Sequence, residues 1–265
     1  MLKFIDELGM KTQIYLTLFI LGAFFSGSYV YGQDFTESSN DYNNNLIYGH
    51  QGAVGAFLHS EGWGVFYRRA KEVSLTNKRF WEAETATMHN PKEHKVDNTN
   101  YSDASSYYFG KLNGMQVFRL GAGYSTTIAR KPNQRQVEID VVYAAGLSVA
   151  VTKPYYLQII TNPGSTSDGY ILSDEIYNPK TDTPSNIYGR ASVLDGIEQL
   201  SFYPGLYARG GFNFDFASKH KRIEALEAGV EFDGYPKVIP IMAYTKNAQI
   251  FANFYLSFSI GSRWN

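Results

Sequence analysis

The chain has 265 residues, a formal net charge of −1 and no cysteine. A near-neutral charge gives no basis for nucleic-acid binding, and the lack of cysteine excludes disulfides, thiolate metal sites and a lipidated N-terminal cysteine. Aromatic content is high at 16%, with 21 Tyr and 18 Phe, which is typical either of a membrane interface or of the strands of a soluble sandwich.

The first part of the chain has the composition of a secretory leader. An apolar run covers residues 14–25 behind a basic flank and is followed by small residues. Because this run is shorter than the ~20 residues of a transmembrane helix, it predicts a signal peptide over residues 1–32, with a membrane anchor or a buried helix as alternatives. Polar residues 33–45 predict a flexible segment before a folded domain at 46–265.

The domain at 46–265 contains eight segments with the composition of β-strands, separated by turn residues. This number suits a small barrel with large loops and is too low for a wide porin. The predicted strands are residues 48–59, 63–73, 78–89, 111–129, 136–152, 206–217, 223–233 and 249–263.

The fifth predicted strand carries the strongest pattern. Between Gln136 and Thr152 every second residue is apolar, and Val142 breaks the alternation once. A period of two gives a strand two different faces. The second face carries small residues such as Ala144 and Ser148, as a narrow interior demands, whereas a water-facing surface carries more Lys and Glu. The pattern therefore predicts a transmembrane barrel rather than a lipocalin, whose apolar faces point inward.

The connections between the predicted strands alternate in length. They are short after the second, fourth and sixth strands and long after the third, fifth and seventh, while the first hairpin is a short exception. Outer-membrane barrels have tight periplasmic turns and long outer loops, and an even strand count puts both termini in the periplasm. The predicted fold class is all-β, an eight-stranded antiparallel transmembrane β-barrel in the outer membrane.

Charged residues fall on the strand faces opposite the apolar ones. An eight-stranded barrel is filled by its own side chains, so interior charges must pair to offset their desolvation. We therefore predict an internal ion-pair network in which arginines bind carboxylates. An acid–base pair of Glu82 with Glu84 and a narrow ion path are the functional alternatives. The predicted network consists of Arg68, Glu82, Glu84, Arg119, Glu138, Asp140, Arg209, Asp215, Glu227 and Glu231.

Three predicted loops are unusually apolar and aromatic, at residues 155–160, 193–203 and 235–244. Exposed apolar clusters mark contacts with partners or lipid more often than chance. We predict that these loops dock a protein partner; the alternative is that they fold over the barrel mouth, or extend its strands above the bilayer, and bury one another. The docking residues chosen from the sequence are Tyr155, Tyr156, Ile159, Val238, Ile239, Ile241 and Met242.

The sequence offers no motif for catalysis or for a cofactor. His89 and His94 flank a proline at a spacing that does not place two metal ligands on one helix face. Four acidic residues lack the close regular spacing of a calcium loop: Asp168, Asp174, Glu175 and Asp182. We therefore expect a protein without enzyme activity, metal or cofactor, with an outer-membrane enzyme acting on lipid as the alternative.

Several segments resemble the small outer-membrane β-barrel proteins of Bacteroidota, and within them a widespread uncharacterised family. They are YFGKL at 108–112, NIYGR at 186–190, PKVIPIM at 236–242 and the closing FYLSFSIGS. The resemblance covers nearly all of the chain after the leader and implies an envelope component with no assigned catalytic residues. It also implies a protein partner within a larger machine, such as outer-membrane protein assembly or type IX secretion, in addition to contact with outer-membrane lipid.

Overall fold

The computed structural model describes residues 49–98, 104–131, 136–161, 171–219 and 221–265. The predicted signal peptide at 1–32 and flexible segment at 33–45 lie outside these residues. Within the described residues there is a 3-10 turn at Ile197–Gln199, and no helix has both the length and the apolarity needed to cross a membrane.

The described residues form thirteen strands, eight of them long and five short. In chain order they are β1 His50–His59, β2 Gly62–Glu72, β3 Asn77–Met88, β4 Lys95–Val96, β5 Tyr107–Tyr108, β6 Asn113–Ala129, β7 Glu138–Pro154, β8 Tyr156–Ile160, β9 Leu172–Ile176, β10 Ile187–Arg190, β11 Ser201–Asp215, β12 Arg222–Gly234 and β13 Ile250–Trp264.

The eight long strands form one closed antiparallel barrel in the order β1-β13-β12-β11-β7-β6-β3-β2. β1 closes the sheet against β13, with His50 opposite Trp264 and His59 opposite Tyr255. Closure satisfies the backbone groups that a sheet edge would leave unpaired, as a strand in hydrocarbon requires. The all-β, eight-stranded antiparallel barrel predicted from the sequence is confirmed.

Side chains alternate between the outside and the inside of the barrel. On β7, Tyr143 and Leu147 point outward with 51% and 62% of their surface exposed, whereas Ser148 and Ala150 are buried inside. Val142, which breaks the alternation in the sequence, points inward and is 1% exposed. The interior is thus mainly polar or small, with apolar side chains such as Val142 filling part of it, while the exterior is apolar.

The barrel wall differs in strand length around its circumference. β1, β2 and β3 have 10, 11 and 12 residues and are called the short wall. β6, β7 and β11 have 17, 17 and 15 residues and are called the tall wall. The bounds of most strands lie within two residues of those predicted, because turn residues punctuate the sequence where the hairpins form.

The sixth barrel strand, β11, differs most from its prediction, since it begins at Ser201 and not at residue 206. Residues before Leu206 pair with β7 alone, because the pairing of β11 with β12 begins there. Pro204 lies in this one-sided part, and a free strand edge tolerates a missing N–H. Because this part of β11 pairs on one side only, Pro204 can lie within the strand.

The two ends of the barrel are built differently. β1 begins and β13 ends at the same end, which is called the turn end; the opposite end is called the loop end. The connections at the turn end are residues 73–76, 130–137 and 216–221. The connections at the loop end are residues 60–61, 89–112, 155–200 and 235–249. The alternation of short and long connections, including the short first hairpin, follows the prediction.

The long connections at the loop end fold into a cap. It contains a three-stranded sheet of order β10-β8-β9 and the β4–β5 pair, neither of which the sequence predicted. A bridge between Lys111 and Met242 ties two of the connections together. An apolar cluster joins Met88 and Met115 of the barrel strands to Ile239 of the last connection, so that the cap packs directly on the barrel mouth.

Candidate functional site

Three arginines point into the barrel interior and hold five carboxylates. Arg119 comes from β6, Arg209 from β11 and Arg68 from β2, so that strands from both walls contribute to one site. The side chains of Arg119 and Arg209 are 1% exposed, and that of Arg68 is 14% exposed. The carboxylates of this central network are Glu82, Glu84, Glu227, Glu231 and Asp233.

Arg119 is saturated by the acids around it. Its guanidinium donates to both oxygens of Asp233 at 3.0 and 2.6 Å and to both oxygens of Glu231 at 3.0 and 3.1 Å. A further bond reaches Glu84 at 3.2 Å. The planar guanidinium suits such two-point binding of carboxylates, which fixes the geometry of the group as well as its charge.

Arg68 and Arg209 share Glu227. Arg68 donates to Glu227 at 2.7 Å and to Glu82 at 3.0 Å. Arg209 donates to Glu227 at 2.7 Å and also to Glu84, which links this group to Arg119. The three arginines therefore belong to one continuous network across the barrel.

Hydroxyl groups satisfy further carboxylate oxygens. Tyr207 donates to Glu82 at 3.1 Å, and Tyr255 donates to Glu227 at 2.8 Å. Ser148 donates to Asp233 at 2.9 Å. These donors matter because five carboxylates face three arginines, and hydrogen bonds offset part of the cost of burying the surplus negative charge.

A second charged cluster lies inside the turn end. Lys78 contacts Glu138 at 2.7 Å and Asp140 at 3.1 Å. Asp215 accepts from Lys131 at 2.9 Å and from Arg263 at 2.5 Å. Here three cations face three carboxylates, so that this cluster is formally neutral, unlike the central network.

The structure places all ten residues of the predicted network on the interior face but divides them between the two clusters. Glu138, Asp140 and Asp215 belong to the turn-end cluster, and the other seven belong to the central network. The sequence prediction omitted Lys78, which shares the strand face of Glu82 and could have been found from its period-two spacing. It also omitted Lys131 and Arg263, and it left Asp233 out of the network although alternation puts Asp233 on the same interior face as Glu231.

The charged interior contains a small cavity near the turn end. A cavity of about 50 Å³ lies between Arg68, Lys78, Phe80 and Asp215, which is room for a few waters rather than for a continuous path. Glu82 and Glu84, the predicted acid–base alternative, are both engaged by arginine. The geometry therefore favours a plugged barrel over a narrow ion path or a catalytic carboxylate pair.

Four of the seven predicted docking side chains are buried in the cap. Ile239, Ile241 and Met242 are at most 5% exposed and belong to the cluster on the barrel mouth, while Ile159 is 7% exposed and packs between cap strands. The expectation of exposure does not hold for these four, because the loops bury one another, as the sequence allowed. Val238 is 49% exposed.

The two remaining predicted docking residues, Tyr155 and Tyr156, are half-buried. The Tyr155 hydroxyl accepts the backbone N–H of Tyr108 at 3.1 Å, and burial raises the pKa of Tyr155 above its usual value. The ring of Tyr155 also lies 5.8 Å from Lys111 Nζ, which pairs with Glu93 at 2.6 Å. Tyr155 is thus part of the internal bonding of the cap.

The apolar loop predicted at residues 193–203 stays exposed. Val193, Leu194 and Phe202 are 65%, 72% and 65% exposed, and Ile197 is 50% exposed. Lys153 Nζ donates to the backbone carbonyls of Val193 and of Asp195, the latter at 2.9 Å. This segment, residues 193–202, is called the apolar strip, and its backbone is held in place although its side chains face outward.

His59 has a structural role at the loop end of the barrel. His59 Nε2 lies 3.0 Å from the carbonyl of Thr87 in the neighbouring hairpin. In the described parts of the chain, no three His, Asp or Glu side chains are grouped so that they could hold a metal ion.

No protein-family model matches the chain, and no curated protein matches it. Among solved structures, Neisserial surface protein A (NspA) is 9% identical, with a TM-score of 0.39 over 81% of this chain and 96% of that one. Ail of Yersinia pestis is 9% identical, with a TM-score of 0.38 over 82% and 100%. A major outer membrane protein from Thermus thermophilus is 8% identical, with a TM-score of 0.40 over 81% and 99%.

These likenesses concern the fold alone. The resemblance to a Bacteroidota family stays a prediction.

Proposed function

We propose that this chain is a non-conducting outer-membrane β-barrel and serves as a structural or accessory subunit of an envelope protein complex. The apolar exterior supports the membrane location, because outward-facing side chains such as Leu147 and Phe254, 62% and 75% exposed, suit hydrocarbon and not water. In this proposal the turn end with both termini faces the periplasm, and the cap faces outward.

The observation that carries the proposal is the filled interior beneath a packed cap. Arg119 alone makes five hydrogen bonds to carboxylates that cross the barrel, and the cluster of Met88, Met115 and Ile239 covers the mouth. Moving these charges apart to open a path would leave ions uncompensated in a region of low dielectric, which is costly. The barrel therefore has the construction of a scaffold.

The apolar strip is the proposed contact with a partner subunit. It holds several exposed apolar side chains on a backbone fixed by Lys153, so that little ordering entropy is lost on binding. This assignment moves the docking surface from Ile239, Ile241 and Met242 to Val193, Leu194 and Phe202. The machine is proposed, from the resemblance to Bacteroidota barrels, to be of the outer-membrane protein assembly or type IX secretion type.

Conductance measurements test the plugged barrel. The purified protein, inserted into planar bilayers, is expected to give no steps of current across a wide range of voltage. Regular steps that disappear when the barrel is heat-unfolded would establish the pore alternative and contradict the proposal.

Site-specific photo-crosslinking tests the docking surface. A photoreactive residue at Leu194 is expected to give one discrete adduct in native membranes, whereas the same residue at Leu75, an exposed position at the turn end, gives none. A third probe at Val238 tests whether the docking surface first chosen from the sequence also contacts a partner. Adducts with lipid alone at every position would contradict an accessory role, and hydrolysis of that lipid by the purified protein would favour the enzyme alternative.

A further inference from the structure

The outer face of the short wall carries a groove. Its volume is about 670 Å³, and its lining is almost wholly apolar. The groove exists because Ala56 of β1 and Ala83 of β3 are small and stand between larger neighbours. Those neighbours are Val54, Val65, Tyr67, Phe118, Phe258 and Ile260.

Three cations stand on the same outward face, next to the groove and towards the turn end. Arg69 and Lys71 follow Tyr67 at two-residue steps on β2, and Arg79 of β3 lies opposite Lys71. A two-residue step is about 6.6 Å along a strand, so these charges begin one step beyond the groove. All three side chains are exposed, and in the part of the chain that the structure describes none forms a salt bridge with a carboxylate.

Aromatic rings mark the boundary between the groove and the cations. Tyr67 and Trp81 meet edge to face with centroids 5.3 Å apart, and the Arg69 guanidinium lies 5.6 Å from the centroid of the Trp264 ring. Tyr and Trp rings favour the depth at which lipid headgroups meet hydrocarbon. The groove then lies at the depth of acyl chains, and the cations lie at the depth of phosphates.

We infer that the short wall binds one glycerophospholipid with a net negative headgroup. Its phosphate lies against Arg69, Lys71 and Arg79, where guanidinium groups bind phosphate oxygens in pairs. One acyl chain runs along the groove past Ala83 and Ala56. A groove in hydrocarbon must be filled by some apolar chain, and the adjoining cations select an anionic lipid as the occupant. This inference rests on the membrane location in the proposed function.

Native mass spectrometry of the detergent-purified protein tests the inference. The wild-type protein is expected to retain one phosphatidylglycerol when offered equal amounts of phosphatidylglycerol and phosphatidylcholine. Replacing the three cations together, as Arg69→Gln, Lys71→Gln and Arg79→Gln, should weaken retention at least about tenfold, since each basic residue near a membrane surface contributes to anionic lipid binding. Ala83→Leu should reduce retention of both lipids by filling the groove.

A matched control removes the same charge from the same end of the barrel. Lys219→Gln, Lys221→Gln and Arg222→Gln lie by the β11–β12 turn, and this triple variant should retain phosphatidylglycerol as the wild type does. Equal loss in both triple variants would overturn the site in favour of a diffuse basic rim. Equal retention of phosphatidylcholine, or a dimer in detergent that Ala83→Leu abolishes, would also overturn it, the latter by showing that a second barrel fills the groove.

Insertion into liposomes tests the proposed membrane location separately from the lipid site. If the protein inserts with the heat-modifiable gel mobility of a folded barrel but retains no lipid, the lipid site is refuted and the barrel proposal stands. If it stays in water without detergent, the membrane location itself fails.

Discussion

The short wall and the tall wall present different surfaces to a membrane. On β7 of the tall wall, outward apolar residues continue from Val137 to Val151, which corresponds to about 33 Å of height at ~3.3 Å per residue and ~45° tilt. On β2 of the short wall the outward apolar run covers only Trp63 to Tyr67, or about 9 Å by the same measure. An outer-membrane apolar band is about 25 Å tall. The tall wall spans it fully, and the short wall does not.

The difference shows that one closed sheet can span the full apolar band on one side and meet lipid headgroups closer to its middle on the other. A wall shorter than the hydrocarbon thickness draws the bilayer thinner beside it or brings charged headgroups deeper. The proposed lipid site, with the cations beyond Tyr67 and the groove around Ala83, lies on this shorter wall. Inside the barrel the two walls are not separate, because Arg68 of the short wall and Arg119 of the tall wall are joined through Arg209 and its carboxylates.

The largest expected effect comes from breaking the central network on one wall at a time. Arg119→Met leaves Glu231 and Asp233 without their arginine and removes one of the two arginines that hold Glu84, so it should cost about 3–5 kcal/mol of the free energy of unfolding. Arg68→Met should cost less, because Arg68 is more exposed and Arg209 still holds Glu227. Urea unfolding in lipid vesicles, followed by tryptophan fluorescence, measures both.

The control for this pair is Lys221→Met in an exposed turn, which should change the free energy of unfolding by less than about 0.5 kcal/mol. Arg119→Met as mild as this control would mean that the carboxylates around Arg119 are already neutral, and the network would then not be ionic.

A charge placed on the outside should separate the two walls. Leu147→Arg puts a cation in the middle of the tall wall and should cost about 2–4 kcal/mol, whereas Tyr67→Arg on the short wall should cost about 0–1 kcal/mol, as at an interface. Leu147→Met serves as the control for side-chain size. The same unfolding assay in vesicles reports each value, and equal costs at the two positions would contradict a locally thin membrane.

The faces of both walls could be predicted because a period-two pattern determines where each side chain points. Glu82, Glu84 and Glu138 were placed inside by alternation alone, and Lys78 follows the same rule. Arg263 also follows this rule, because it lies on the inward face of β13 with Ser257 and Ser259. Lys131 could not be found in this way, since it lies beyond the end of β6 and reaches Asp215 from the turn end through a long side chain. Alternation gives the face of a residue but not its partner.

The cap was beyond prediction for a different reason. Apolar residues such as Ile239 and Leu194 look alike in sequence, yet one packs against Met88 and Met115 while the other is 72% exposed. The burial of each residue depends on contacts between connections that are far apart in the chain, and such contacts leave no local pattern in the sequence. The early start of β11 has a similar cause, since residues 201–205 pair with β7 alone and their strand depends on that one neighbour.

A smaller effect is expected from adding one methyl group to a glycine on each wall. A Cβ at Gly146 of the tall wall would lie 2.2 Å from the carbonyl oxygen of Leu120, which belongs to the neighbouring backbone. Gly146→Ala should therefore cost about 1–3 kcal/mol by overpacking. A Cβ at Gly52 of the short wall meets the ring of Trp264 at 2.9 Å, and that ring can move.

Gly52→Ala is thus expected to cost less than Gly146→Ala, and Gly114→Ala, with no atom within 4 Å of its added Cβ, is the unstrained control. Unfolding of all three variants in one vesicle preparation ranks them. A Gly52 variant as unstable as the Gly146 variant would show that the short wall is packed as rigidly as the tall one.

The smallest effect concerns the cap above the walls and appears only at high pH. Burial raises the pKa of Tyr155 above the ordinary value of 10.0, so the folded cap favours the neutral hydroxyl. A group whose folded pKa is raised stabilises the fold fully below the unfolded pKa and loses that contribution as the pH rises through the folded pKa. The cap should therefore loosen above about pH 10, while the barrel stays closed.

Hydrogen exchange of cap amides between about pH 9 and 11, corrected for the intrinsic rate, measures this loosening across the ordinary tyrosine pKa. Tyr155→Phe is the control that lacks the titrating group. Equal pH dependence in both proteins would assign the loosening to another group, of which the buried Tyr177, whose pKa is raised in the same direction, is the next candidate.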